Sequence, residues 1–157
     1  MTAARAGLLP PGAAAPQAPV RPGTRPRRHV FPGSPDQAAA ARRFTRRALG
    51  GCPVTDDAVQ CVAELCSNAL QHTRSSGSTF TVIISCGPSS VRVAVADGGS
   101  DTTPEPAPPV EGSETGRGLA LVARLAVRWG HHGGPAGRVV WCVLEWPAGA
   151  AQAPSPP

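Results

Sequence analysis

Apolar residues recur along this chain with two different periods, and the change of period marks its elements. From Ser34 onward Ala38, Ala41, Phe44 and Ala48 share one helical face. Ser34 at N-cap, Pro35 at N1 and Gln37 at N3 fit a capping box, and Gly50-Gly51 ends the segment. Arg42, Arg43, Arg46 and Arg47 fall on its outside. A second helix is predicted over residues 55–72, with Thr55 as N-cap and Asp56 and Asp57 at the positive end of its dipole. Ala58, Val62, Leu65 and Ala69 form its apolar stripe. The period then drops to two. Phe80, Val82, Ile84 and Cys86 alternate in one strand, and Val91, Val93 and Val95 in the next, across a turn at Gly87-Pro88-Ser89. A long proline-bearing connection covers 98–115 and reads as a lid, a binding loop or a disordered segment. Helical spacing returns after Gly116-Arg117-Gly118, with Leu119, Val122, Ala126 and Trp129 facing inward. Residues 130–137 read as a loop, and 138–146 as a buried final strand. His29-Val30-Phe31 suits a short edge strand.

Helix, helix, strand, strand, lid, helix, strand is the order of an α/β (α+β) two-layer sandwich. Its sheet is mixed and largely antiparallel, with helices on one face. The expected domain is 29–147, flanked by disordered tails at 1–28 and 148–157 that are rich in Ala and Pro.

The second helix also carries a polar stripe: Gln60, Glu64, Ser67, Asn68 and Gln71. It holds one carboxylate and three amides, where a solvent face usually mixes acids and bases. Asn is mildly unfavourable in mid-helix, because its side chain competes for backbone hydrogen bonds. A solvated face and a binding face both fit this stripe. Asp97 continues the parity of Val91, Val93 and Val95, so it ends its strand on the helix-covered side. A carboxylate there needs a partner; a strand-end turn before Gly98-Gly99 is the plain alternative. Gly116-Arg117-Gly118 opens a helix, and amides at such an opening bind phosphate.

Composition narrows the choices. All 15 basic residues among 157 are Arg. Residues 1–50 carry a net +8 and residues 51–157 a net −3, so the basic character belongs to the N-terminal third. That end can touch nucleic acid or an acidic partner through Arg25, Arg27 and Arg28; otherwise no nucleic-acid role is expected. The five cysteines have no C-x-x-C spacing, which argues against a zinc or redox motif and for reduced thiols in a cytoplasmic protein. No apolar run is long enough to span a membrane, and prolines interrupt the N-terminal segment, which argues against a signal peptide. His131-His132 has no second cluster of metal ligands beside it. Without lysine there is neither a G-x-x-x-x-G-K-[ST] loop nor the lysine of eukaryotic-type kinases.

The three polar signals together suit magnesium-ATP. Mg²⁺ prefers oxygen ligands, and the Asn68 amide can supply one. Asp97 can accept from an exocyclic amine such as that of adenine, and the amides near Gly116 and Gly118 can hold phosphates. Glu64, one turn from Asn68, can orient or deprotonate an attacking hydroxyl.

Glu64-x-x-x-Asn68 resembles the N box of the histidine-kinase-like ATPases, the Bergerat or GHKL fold. Asp97-Gly98-Gly99 resembles the first glycine box, and Gly116-Arg117-Gly118-Leu119-Ala120-Leu121-Val122 the second. With the closing Val140-Trp141 strand, the chain is similar over 29–147 to small actinobacterial members related to anti-sigma factor serine/threonine kinases. The resemblance implies ATP and Mg²⁺ as cofactors, Asn68 on the metal and Asp97 on adenine. It puts Gly99, Gly116, Arg117, Gly118 and Leu119 at the lid and phosphates, and makes Glu64 the general base. It further implies a kinase acting on an anti-anti-sigma protein and antagonising a sigma factor, and it leaves room for a homodimer. One departure stands out: position 101 is Asp where the first glycine box continues with Gly. An ATP-responsive anti-sigma module without phosphoryl transfer is therefore the second expectation. A sensor histidine kinase would need a two-helix segment with a phosphoacceptor His ahead of Ser34.

Overall fold

The computed structural model describes residues 7–8, 25–72, 78–99 and 117–150, apart from the side chains of Leu8, His72 and Arg117. The chain order is β1 (Gly7–Leu8), β2 (Arg27–Pro32), α1 (Gln37–Leu49), α2 (Thr55–His72), β3 (Thr79–Cys86), β4 (Ser90–Asp97), α3 (Arg117–Leu125), β5 (Arg128–Gly134) and β6 (Gly137–Glu145). The strands form one sheet in the order β1-β5-β6-β4-β3-β2. Every pairing is antiparallel except β1 with β5, so the sheet is mixed and largely antiparallel as expected.

One face of the sheet is covered by the three helices. Phe80, Val82, Ile84, Val91, Val93 and Val95 meet Ala58, Val62, Leu65 and Ala69 of α2 and Leu119 and Val122 of α3 in the main core. The apolar stripe read from α2 is entirely buried, and its bounds are those the spacing predicts. All three phenylalanines gather where α1 meets β2 and β3, with Phe31 and Phe80 stacked at 5.4 Å between ring centroids. On the opposite face, Ala94, Trp141 and Val143 form a smaller cluster with Ile83, Val127 and Val139. The five cysteines are free; four are buried and Cys86 is half-buried. Among the described residues, no helix is long and apolar enough to cross a membrane.

Several local expectations are corrected. Ser34 does not cap α1: its carbonyl accepts the Gln37 N–H at 3.0 Å, and the helix begins after Asp36. Ser-Pro-Asp is as good a β-turn sequence as a capping box, with Pro at the second position, and the turn prevails here. Thr55 does not cap α2 either; its hydroxyl donates to the Cys52 carbonyl at 2.7 Å. α3 ends at Leu125, and the segment expected as a loop over 130–137 is mostly β5. Trp129 is buried as foreseen, but from this strand.

The glycines of 130–137 carry no strand propensity; pairing with β6 overrides it. Gly130 lies opposite Trp141, and a Cβ there would come within 2.9 Å of the indole ring. The edge strand beside β3 starts at Arg27, two residues ahead of His29. Gly7–Leu8 and residues 25–28 are the described parts of the segment read as a tail. The rest of it, and 151–157, lie outside the described residues.

Gly130→Ala should therefore destabilise the domain by about 1–3 kcal/mol through overpacking against Trp141. Gly134→Ala, with open space around its Cβ, should stay within about 0.5 kcal/mol of the parent. Denaturant midpoints followed by tryptophan fluorescence would separate the two.

Candidate nucleotide site

The polar stripe of α2 emerges between the sheet and α3. Burial of Ala58, Val62, Leu65 and Ala69 fixes the rotation of the helix and leaves Glu64, Ser67 and Asn68 half-buried beside that stripe. Glu64 lies against α3: a Cβ on Gly118 would collide with Glu64 Oε2. The space beside Gly118 is thus taken by the carboxylate facing it. Gln60 Nε2 lies 3.4 Å from Glu64 Oε1, one turn back along α2. Asn68, one turn further on, has a buried side-chain Nδ2 with no hydrogen-bond partner. Such an orphaned donor costs about 1–3 kcal/mol unless a ligand meets it. Cys66, within the same stretch, is a buried thiol that burial pushes up to about 12, so it packs as a neutral group.

Asp97 sits where parity placed it. Thr81 of β3 pairs with Ala96 of β4, so the end of β4 lies beside the start of β3, the strand entered directly after α2. Asp97 and the C-terminal half of α2 therefore share one end of the helix-covered face. The Asp97 carboxylate is 1% exposed. Its Oδ1 accepts the Gly99 N–H at 2.8 Å, and its Oδ2 lies 3.3 Å from Arg138 Nη2 and 3.4 Å from Nε. Burial pushes this carboxyl above its ordinary range, while the Gly99 amide and the Arg138 guanidinium pull it back.

Gly99 has φ +88°, and a Cβ there would run into Gly134 O, Pro135 O and Gly137 N of the β5–β6 turn. Within the described residues its contacts are with that hairpin and with Asp97. Leu119 is buried in the core between α3 and the sheet, 5% exposed. Arg117 opens α3. Gly116, Asp101 and the expected lid lie outside the described residues. Arg138 is a site residue outside the motifs that the sequence displays. The signal was available, since Arg138 has the parity of Val140, Cys142 and Leu144 and so must face the helices.

The fold is that of an ATPase class. A profile described as "Histidine kinase-like ATPase domain" matches residues 31–144, and the chain belongs to that family. Among solved structures the fold is similar to the crystal structure of the RsbU and RsbW domains of Rv1364c from Mycobacterium tuberculosis, with TM-score 0.60 and 20% identity. That alignment covers 80% of this chain but only 34% of the other, about a third of its length. No curated protein matches the chain.

The two glycines should respond differently to alanine. Gly99→Ala meets both a left-handed backbone and backbone atoms, so a loss above about 2 kcal/mol is expected. Gly118→Ala meets only the tip of a flexible side chain, and should change stability by less than about 1 kcal/mol while turning Glu64 aside. Thermal unfolding of both variants checks this.

Proposed function

We propose that this domain binds ATP with Mg²⁺ and transfers phosphate to a serine or threonine of a protein partner of the anti-anti-sigma type, holding a sigma factor when that partner is absent. The observation that carries the reading is the junction of α2 and α3: a half-buried carboxylate against the glycine of a helix opening, with an unpartnered Asn amide one turn away. The motifs of Glu64, Asn68, Asp97 and Gly118 support the same roles by their resemblance to the family pattern.

The residues fit a magnesium-nucleotide. Asn68 presents a hard amide oxygen for the metal, and its orphaned Nδ2–H suits a phosphate or water oxygen. Bound there, magnesium would neutralise charge on the phosphate oxygens. Asp97 accepts from the adenine amine. The amides from Gly116 to Leu119, at the positive end of the α3 dipole, bind phosphate oxygens. Glu64 orients the partner's hydroxyl and takes its proton as the oxygen bonds to the terminal phosphorus, the bond from that phosphorus to the bridging oxygen breaks, and ADP leaves with the bridging oxygen.

A second reading is favoured by Asp101, which replaces a glycine of the first glycine box. In that reading ATP binding alone controls the hold on a sigma factor, and Glu64 does no chemistry.

Asn68→Ala should weaken magnesium-dependent ATP binding at least about tenfold, since a charge-assisted contact is worth about 1.5–3 kcal/mol. Calorimetric titration with and without Mg²⁺ reads this, and equal affinities would remove Asn68 from the site. Glu64→Ala should keep ATP binding and lose transfer of label from ATP to an anti-anti-sigma protein. Regulation that survives Glu64→Ala, with no labelling by the parent, would select the second reading.

A further inference from the structure

The base end of the site holds a charge that the recognised motifs do not include. Arg138 of β6 stands directly opposite Asp97 of β4 in the antiparallel register, and both face the helices. Their side chains are 2% and 1% exposed. A pair this deeply buried loses its hydration, so its retention at this place wants a reason beyond stability.

The reason lies in what a carboxyl group can offer. An ionised carboxylate only accepts hydrogen bonds, whereas a protonated one also donates. Adenine presents an exocyclic amine, a donor; hypoxanthine and guanine present a carbonyl, an acceptor, at the same ring position. The charge on Asp97 therefore decides which base its edge can meet. Burial works toward the neutral form. On the other side stand the Gly99 amide on Oδ1 and the Arg138 guanidinium on Oδ2. The strand neighbours at this level bring no competing charge. Gly133 lies opposite Arg138 on β5, and Phe80 is the helix-facing residue on the β3 side. From α2, Asn68 is neutral and Glu64 is turned against Gly118.

We propose that Arg138 is a positioning residue that sets the base preference of this site: it holds Asp97 as an oriented, ionised acceptor, so that a purine with an exocyclic amine is chosen over one with a carbonyl. This rests on the nucleotide-binding reading above. Arg138 acts on the base through Asp97. Lysine can supply the charge at this position; glutamine can fill the space but not the charge.

The test compares dissociation constants for ATP and inosine triphosphate, both with Mg²⁺, on the full chain and its Arg138→Gln and Arg138→Lys variants. The parent should favour ATP by at least about tenfold, because a polar group left unmatched in a buried site is strongly rejected. Arg138→Gln should bring the ratio close to one, mainly by lost ATP affinity, and Arg138→Lys should restore most of it. An unchanged ratio in Arg138→Gln overturns the proposal. So does a loss in Arg138→Lys equal to that in Arg138→Gln, which would mean that packing alone is at work. If circular dichroism shows Arg138→Gln to be unfolded, Asp97→Asn takes its place. Its amide can donate to the carbonyl, so the ratio should tip toward inosine triphosphate, and an unchanged ratio again overturns the proposal. A parent that binds both nucleotides equally refutes the role of Arg138 and leaves the nucleotide site standing; a parent that binds neither refutes both.

Discussion

A helix packed on a sheet keeps one remaining freedom, rotation about its own axis, and α2 has lost it. Ala58, Val62, Leu65 and Ala69 are all essentially inaccessible to solvent, and Cys61 and Cys66 flank them. Turning the helix far enough to move Glu64 would expose several of these side chains. The larger ones contribute about 1.5–3 kcal/mol each when buried, against a total stability of about 5–15 kcal/mol for a domain of this kind. The rotation of α2 is therefore set by apolar packing. The direction in which Glu64 and Asn68 leave the helix follows from it, and the Glu64 carboxylate occupies the space beside Gly118 that a side chain there would enter.

Three polar groups that are expensive to bury share one end of the fold, while unpartnered buried atoms also occur at Ser90 Oγ, Arg92 Nε and Arg128 Nε. Asp97, Arg138 and the Nδ2 of Asn68 all belong to one end of the helix-covered face. Elsewhere the described ion pairs are of the ordinary exposed kind. Arg46–Asp56, with side chains 60% and 89% exposed, adds little in water. The contrast has a physical meaning. A fold whose local preferences are otherwise consistent carries such penalties where a ligand must be met, and an uncompensated donor is relieved when that ligand arrives. Membership in the histidine kinase-like ATPase family gives the ligand class, and the β4–β6 register sets Arg138 opposite Asp97.

What the spacing of residues revealed and what it hid follow one rule. Elements with a strong internal period were legible: α2 from its apolar stripe, β3 and β4 from alternation, Asp97 from the parity of the valines before it. Elements that depend on a distant partner were not. β5 is Gly-His-His-Gly-Gly in its second half, and it is a strand because β6 hydrogen-bonds to it and Trp141 covers Gly130. The start of α1 failed for a related reason, since Ser34-Pro35-Asp36 satisfies two local motifs and nothing nearby chooses between them. Glu64 and Asn68 were legible as a polar stripe, but nothing in the stripe said which neighbour it met.

By itself, then, the sequence determined the two-layer architecture, the buried face of α2 and the residues exposed along its polar edge. Those depend on periodicity, which is a property of consecutive residues. Tertiary structure alone decided that Glu64 abuts Gly118, that Gly99 is held under the β5–β6 turn, and that Asp97 shares its carboxylate with Arg138, 41 positions away in the chain. Each of these is a contact across strands or between layers. Its strength comes from exclusion of water by the packed whole, and no local run of residues encodes that exclusion.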